Sequence, residues 1–379
     1  METWRAEFPI LESGIYLLNN ALGAPPRGIR AMLDRYADEM LRLGEHGWQV
    51  WYPWVLEAAD RVGRLVGAPP GTTVLDSSVT TLLHRVASAL DFRGDRPRVV
   101  TSALDFPSVG YAWQGWTRHG AELVVVPSED GIRVSPERLA EAIDERTGAV
   151  SVSLATYCSG ALLDLTPVIR KARSVGAIVI VDAFQAFGVV PIDVVAQDID
   201  VLISGTRKFA LGAGESAFLS VRRELLDRLE PLFVGWFAHR DPFAFQRELE
   251  YAPDARRFSM GTPLVLPHYV ASVGWGILES VGLEAIRARS LELTGRIMDW
   301  ADELRLEVAT PRAPEARGGV VCLKFDGAEA VTKRLNQLGI GCSYRPASGL
   351  RLGPHFFNTL DEIDRAMGAI AEQRKEIAC

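Results

Sequence analysis

Between about residue 98 and residue 221 the chain alternates short apolar runs with amphipathic stretches. The runs Arg98–Thr101, Glu122–Val126, Ala149–Leu154, Ala177–Val181, Val201–Ser204 and Ser216–Val221 are rich in Val and Ile and read as strands. Ser108–His119, Pro136–Ile143 and Thr166–Ser174 carry helical spacing between them. Such alternation predicts an α/β layer built on a mostly parallel sheet. Upstream, Ile15–Leu18 reads as a short strand and Asn19–Pro26 as a loop. Helical patterns follow at Gly28–Leu43, Pro53–Val66 and Val79–Leu90, the second stopped by Gly67, Pro69 and Pro70. Downstream, Val270–Leu304 reads as one long helix, Val320–Phe325 and Gly349–Arg351 as strands, and Leu360–Gln373 as a closing helix. The expected organisation is an N-terminal segment (1–45) packing with a small domain, a large α/β domain (46–265) and a smaller C-terminal α/β domain (266–379).

Composition narrows the partners. The 379 residues are 48% hydrophobic and 23% charged, with a net charge of -7 and no basic run, so nucleic acid is not an expected partner. No apolar stretch reaches membrane-spanning length, and Met1–Phe8 reads as neither a signal nor a transit peptide. Cys158, Cys322, Cys342 and Cys379 are too widely spaced for a metal-ligand cluster, so no metal site is expected and a reducing cytoplasm is.

Two polar residues close apolar runs in a chemically suggestive way. Asp182 ends Ala177–Val181, and Lys208 follows Val201–Ser204 by four residues. Only five lysines stand among 41 basic residues: Lys171, Lys208, Lys324, Lys333 and Lys375. Lys208 alone follows a buried-type strand and precedes Gly212 and Gly214, where a backbone can approach a ligand closely. A lysine and a carboxylate so placed can hold pyridoxal phosphate (PLP): the amine forms a Schiff base with the aldehyde, and the carboxylate pairs with the protonated pyridine nitrogen.

Other residues fall at the same carboxyl edge, where open α/β sheets bind ligands. Asp76-Ser77-Ser78-Val79-Thr80 opens a helix and offers hydroxyls and free backbone N–H groups for a phosphate, although a plain N-cap would use the same residues. Phe106 follows the strand ending near Thr101 and could stack on a pyridine face. Gln185, three residues after Asp182, could hydrogen-bond the cofactor's phenolic oxygen. Arg351, in Leu350-Arg351-Leu352-Gly353, is a candidate two-pronged clamp for a substrate carboxylate.

Together these residues resemble fold-type-I PLP-dependent enzymes, in the class-V aminotransferase branch with cysteine desulfurases. Asp182-x-x-Gln185, Ser204-Gly205-Thr206-Arg207-Lys208 and Leu350–Thr359 are similar to that branch's signatures. Within it the chain is most similar to kynureninase-like and isopenicillin-N-epimerase-like members, through Tyr16–Gly23, Phe106-Pro107-Ser108, Val234–His239 and Arg257–Pro263. The resemblance implies a large domain with a mostly parallel seven-stranded sheet flanked by helices. It also implies roles: Lys208 as the Schiff-base lysine, Asp182 as the pyridine partner, Phe106 as the stacking ring, and Ser78, Val79, Thr80 and Arg207 at the phosphate. Trp236 and Thr262 would reach the phosphate from a neighbouring subunit, giving a homodimer with shared active sites. Arg351 would hold the substrate carboxylate, with Asn20 and Trp48 as further substrate contacts.

Two positions depart from the kynureninase pattern. Gln185 stands where those enzymes carry His, and Arg207 where they carry the tyrosine expected to donate a proton. A guanidinium does not give up a proton near neutral pH. Cys342 falls before the position of a desulfurase nucleophile, and Cys158 reads as a small buried filler. The expectation is therefore a PLP enzyme acting on an α-amino acid or derivative and cleaving a bond at the β-carbon. Aminotransfer, epimerisation or oxidative deamination are the alternatives, and a non-catalytic binding protein of the same fold is the contrasting reading.

Overall fold

The computed structural model describes residues 2–212 and 214–378. Its strands are β1 (Ile15–Tyr16), β2 (Thr73–Asp76), β3 (Arg98–Ser102), β4 (Glu122–Val126), β5 (Thr147–Ser153), β6 (Ile178–Asp182), β7 (Val201–Gly205), β8 (Ala217–Val221), β9 (Glu307–Val308), β10 (Val321–Lys324), β11 (Ile340–Gly341), β12 (Ser343–Arg345) and β13 (Gly349–Leu352). The α-helices are α1 (Ile29–Leu43), α2 (Trp48–Arg64), α3 (Val79–Ser88), α4 (Pro107–Thr117), α5 (Pro136–Glu141), α6 (Thr166–Val175), α7 (Arg223–Leu226), α8 (Leu266–Val281), α9 (Leu283–Glu303), α10 (Ala328–Gln337) and α11 (Leu360–Ala378).

The main sheet has seven strands in the order β2-β8-β7-β6-β5-β3-β4. Strands β4, β3, β5, β6 and β7 run parallel, whereas β8 is antiparallel to both β7 and β2. The central strands are covered on both faces, which is why they read as near-continuous apolar runs. Val179, Val181 and Leu202 belong to one core cluster, and Ile180, Val201 and Ile203 to another. The reversal of β8 has a consequence for the site. The carboxyl ends of β2, β3, β5, β6 and β7 and the amino end of β8 all meet at one edge of the sheet.

A second sheet, β12-β13-β10-β9, is antiparallel. It shares a core with α9, α10 and α11, through Leu293, Val331, Leu335, Ile363 and Met367 against Val321, Leu323, Leu350 and Leu352. The N-terminal segment joins this unit: β1 pairs in parallel with β11, and Arg5 forms an ion pair with Glu362.

Several elements differ from the sequence expectation. The segment Thr73–Asp76 is a strand; it has four residues and pairs only with β8, so little periodicity marks it. Helix α2 starts at Trp48 and carries Pro53 inside it, giving up one backbone hydrogen bond. Packing compensates, because Trp51 is buried with its Nε1–H on Glu39 Oε2 at 2.7 Å and its ring 5.4 Å from that of Trp48. The long 270–304 helix is two helices, α8 and α9. They are separated at Gly282, whose φ of +84° lies in the left-handed region that ends helices. The short strands β9, β11 and β12 were also not evident from the sequence pattern. No described helix is long and apolar enough to cross a membrane.

Candidate active site

A cavity of about 280 Å³ opens at the common edge. Its walls come from the loop after β2 and the start of α3 (Ser77, Ser78, Val79, Thr80), the loop after β3 (Phe106, Ser108), the end of β5 and its loop (Ser153, Ala155, Tyr157), the end of β6 (Asp182, Phe184, Gln185), the loop after β7 (Gly205, Arg207, Lys208) and the lead-in to β8 (Glu215, Ser216).

Lys208 leaves β7 on a turn of unusual shape. Leu211 closes it with φ of +57° and donates its N–H to Lys208 O at 2.9 Å. A buried, non-glycine residue in this region is strained, so surrounding structure must hold it. Gly23 supplies part of that hold: a Cβ there would lie 2.2 Å from Lys208 O. The side chain of Lys208 is thereby aimed into the cavity, with Nζ 4.1 Å from the Phe184 ring centroid and 5.7 Å from that of Phe106. Lys208 is only 8% exposed. Burial pushes its ammonium pKa down to about 7; Asp182 opposes this, and Arg207, Arg351 and Arg345 reinforce it.

Asp182 is half-buried at the end of β6, facing the cavity, with Oδ1 accepting the Phe184 N–H at 2.8 Å. Burial pushes its carboxyl pKa up against that hydrogen bond and against Lys208, and the neighbouring Asp105 adds to the rise. Asp105 was not singled out from the sequence. Its carboxylate accepts from Thr101 Oγ1 (2.7 Å), Ser102 N (2.9 Å) and Ser153 N (2.8 Å), tying the ends of β3 and β5 together directly before Phe106. Its position ahead of Phe106-Pro107 was the available signal.

Helix α3 presents its N-terminus to the cavity. Ser78 caps it, its Oγ accepting the Thr81 N–H at 3.1 Å, so the N–H groups of Val79 and Thr80 in the first turn are left for a ligand. Asp76 braces this turn from behind: Oδ1 takes the Ser77 N–H at 2.6 Å, and Oδ2 pairs with buried Arg85. Ser216, at the opposite wall, shares a 2.9 Å hydrogen bond with His268 Nδ1.

Eight of the expected cofactor-site residues thus line one cavity: Ser78, Val79, Thr80, Phe106, Asp182, Gln185, Arg207 and Lys208. Asn20 and Arg351 lie just behind its wall. Asn20 O accepts from Gln185 Nε2 at 3.1 Å, and Arg351 Nη1 donates to Tyr157 O at 2.8 Å. Both Asn20 side-chain polar atoms, Gln185 Oε1 and Arg351 Nε are buried without hydrogen-bond partners. Trp236, Thr262 and Trp48 do not line the cavity of their own chain. Thr262 lines a second cavity of about 290 Å³, which meets the first at Ser77. Trp236 is 39% exposed and stacks on Phe245 at 5.5 Å, while Trp48 packs against Trp51 and Phe237. Cys158, Cys322 and Cys342 are buried free thiols off the cavity wall, and burial raises all three pKa values. Cys379 lies outside the described residues.

The donor set suits PLP: a lysine biased toward the neutral amine, a carboxylate, an aromatic ring and a helix N-terminus with free N–H groups line one cavity, and unpaired polar atoms lie at its wall. Comparison with known proteins agrees. The family description "Aminotransferase class-V" matches residues 24–364.

This chain belongs to the class-V aminotransferase family.

The family is PLP-dependent. The chain is 30% identical to an uncharacterized aminotransferase, YcbU, of Bacillus subtilis, covering 98% of this chain and 97% of that protein. It is also 30% identical to the kynureninase of Deinococcus radiodurans, covering 98% and 93% respectively. Among solved structures it superposes on the apo cysteine desulfurase of Thermococcus onnurineus with a TM-score of 0.88 at 23% identity, over 99% of this chain and 98% of that one. The cystine C–S lyase C-DES, in complex with cysteine persulfide, superposes with a TM-score of 0.87 at 19% identity, over 96% and 99%. These last two likenesses establish the shared fold.

Proposed function

We propose that this class-V enzyme acts on an α-amino acid or close derivative and cleaves a bond from Cβ to a leaving group, with Lys208 and Asp182 at the centre of the chemistry. The observation that carries the reading is that these two residues line one cavity, with the N-terminus of α3 on its wall.

In this reading Asp182 carries the proton-bearing pyridine nitrogen of PLP, and Phe106 covers a ring face. The first-turn N–H groups of α3, the hydroxyls of Ser78 and Thr80, and Arg207 hold the phosphate. Bound PLP supplies an electron sink for negative charge developing at Cα of the substrate. Lys208 anchors the cofactor and, once displaced by the substrate amine, takes the Cα proton at Nζ. Its lowered pKa serves that task, because a base poised near neutrality is unprotonated and still strong enough to accept. Arg351 and Asn20 hold the α-carboxylate, which would pair the buried guanidinium and amide atoms now without partners. Trp236, Thr262 and Trp48 serve the site of a second copy in a homodimer. Support for this comes from the exposed apolar side chains Leu232, Phe233, Trp236, Phe243 and Phe245, grouped within 14 residues of chain.

The test is a substrate screen on the PLP-loaded protein, comparing S-substituted and O-substituted cysteine and serine derivatives with L-kynurenine. Release of the β-substituent from the former and no anthranilate from the latter is the expected result, since Arg207 replaces a proton-donating tyrosine. Transfer of the amino group to an oxo acid without loss of the β-substituent would establish aminotransfer instead. Borohydride reduction followed by peptide mass mapping checks the anchor, which is expected at Lys208 alone among the five lysines.

A further inference from the structure

We propose that Tyr157 is the proton donor to the group leaving Cβ, a role that rests on the cleavage reading above. Breaking such a bond puts a full negative charge on the departing atom unless a proton arrives with it. Arg207 holds the position where a tyrosine was expected and cannot supply one. The serine and threonine hydroxyls of the wall, on Ser77, Ser78, Thr80, Ser108, Ser153 and Ser216, are far weaker acids than a phenol. In the cleavage reading Asp182 is committed to the pyridine nitrogen and Lys208 to the Cα proton, and Glu215 is exposed to water. Tyr157 remains.

Its placement is built rather than incidental. β5 ends at Ser153, and Leu154 N–H continues the sheet to Asp182 O at 2.9 Å. Ala155 then pairs with Leu162, and the chain reverses between them. Thr156 O accepts the Gly160 N–H at 3.0 Å, and Thr156 Oγ1 meets Ser159 Oγ at 2.6 Å. Gly160 is required: its φ is +71°, and a Cβ would lie 2.5 Å from Val320 Cγ1. This reversal puts Tyr157 on the cavity wall, its ring edge-on to Phe106 at 5.2 Å. Its carbonyl, not its hydroxyl, receives Arg351, so the loop fixes the carboxylate clamp and the phenol together. Among the described residues the hydroxyl makes no hydrogen bond, leaving its proton available to a ligand. Burial raises the Tyr157 pKa; Cys158 adds to the rise, and Arg351 and Arg345 oppose it. The phenol therefore keeps its proton at neutral pH.

As the Cβ bond breaks, its electron pair leaves with the departing atom, which takes the proton of Tyr157 Oη–H. The pair left at Cα, whose proton has passed to Lys208 Nζ, closes the Cα–Cβ double bond. The tyrosinate is reprotonated from water admitted when the product departs.

Tyr157→Phe tests this in the full PLP-loaded enzyme. The variant keeps the ring against Phe106 and the carbonyl on Arg351, so cofactor content and KM are expected to match wild type. The readout is leaving-group dependence. With an S-alkyl cysteine, whose thiolate leaves poorly, kcat is expected to fall by about 100-fold or more. With an S-(nitrophenyl) cysteine, whose thiolate needs no proton, the fall should stay within about threefold. A purely structural role would lower both equally. A second readout needs no turnover: ultraviolet difference titration of wild type against the variant isolates one of eight tyrosines and should place its ionisation above that of a free phenol. If wild type releases both thiols and the variant loses nothing, or loses equally with both, the inference is overturned and the cleavage reading stands. If wild type releases neither, both fall. An ionisation at or below neutrality would overturn the inference independently.

Discussion

Lys208 should be the lysine with the lowest pKa of the protein, reactive near neutral pH before any cofactor is bound. The cause is its surroundings: the side chain is 8% exposed, it lies over the Phe184 ring, and Arg207, Arg351 and Arg345 add like charge. A fall from 10.5 to about 7 corresponds to about 5 kcal/mol of preference for the neutral amine. Near neutral pH far more of Lys208 should therefore be unprotonated than of a solvated lysine. Competitive trace acetylation of the cofactor-free chain, read by peptide mass, measures this directly. Lys171, Lys324, Lys333 and Lys375 serve as internal references in the same tube. The half-point for Lys208 should lie near neutrality and those of the references far above it. The signs of the causes can be tested separately. Asp182→Asn removes a negative charge that favours the ammonium, so the half-point should move down. Arg351→Gln removes a positive charge that disfavours it, so the half-point should move up. Both variants should stay well below an ordinary lysine, because burial is the largest cause. A Lys208 half-point that coincides with the references would refute the reasoning, and shifts of the same sign in the two variants would refute the electrostatic part of it.

Three further outcomes are expected. Arg351→Lys should lower kcat/KM by about 10- to 100-fold, mostly through KM, because an ammonium cannot reproduce two charge-assisted bonds to a carboxylate; steady-state kinetics with the best substrate checks this. Asp182→Asn should lower kcat more than it raises KM, since the carboxylate stabilises charge that develops only as the Cα proton leaves; an unchanged kcat would count against it. The third concerns acid stability. His355 is buried, its Nε2–H donating to Phe209 O at 2.7 Å and its Nδ1 accepting the Phe356 N–H at 2.9 Å, and burial pushes its pKa from 6.5 down to about 4. Below pH 6.5 the unfolded chain takes up a proton that the folded chain refuses. The stability is therefore complete above about pH 6.5 and lost toward pH 4, by about 3 kcal/mol for this residue. Urea unfolding across that range should show a shallower acid limb for His355→Gln than for wild type.

How much of this could be read from the chain follows from burial. Strands β5, β6 and β7 are covered on both faces, so they appear as apolar runs, against which Asp182, closing β6, and Lys208, soon after β7, stand out. The same logic hides β2, which sits at the sheet edge beside β8 and is bounded by threonine and aspartate. Tyr157 was passed over because its loop has no periodicity. Its importance depends on the reversal at Gly160 and on Arg351, which is 194 residues away. Asp105 was missed for a related reason. Its three hydrogen-bond donors come from the ends of two strands, and no spacing in the sequence announces that they converge. Trp236 and Thr262 are the converse case. The family pattern singles them out, and within one chain they point elsewhere.

The site is costly to fold. Lys208 and Arg351 are buried, Asp105 and Asp182 are half-buried, and desolvation shifts each toward its neutral form. Asn20, Gln185 and Arg351 add buried polar atoms without partners, each carrying a desolvation penalty of about 1–3 kcal/mol. Leu211 adds backbone strain of about 1–3 kcal/mol. A chain selected for stability alone would replace these groups with apolar ones of similar volume. These groups meet around one cavity, where ligands would supply the missing partners. In the proposed reading a pyridinium on Asp182, an anion on the α3 N-terminus and a carboxylate on Arg351 would each satisfy such a group. Binding and stability would then be linked, because a ligand that pairs these groups stabilises the folded chain and regains as affinity part of what folding gave up.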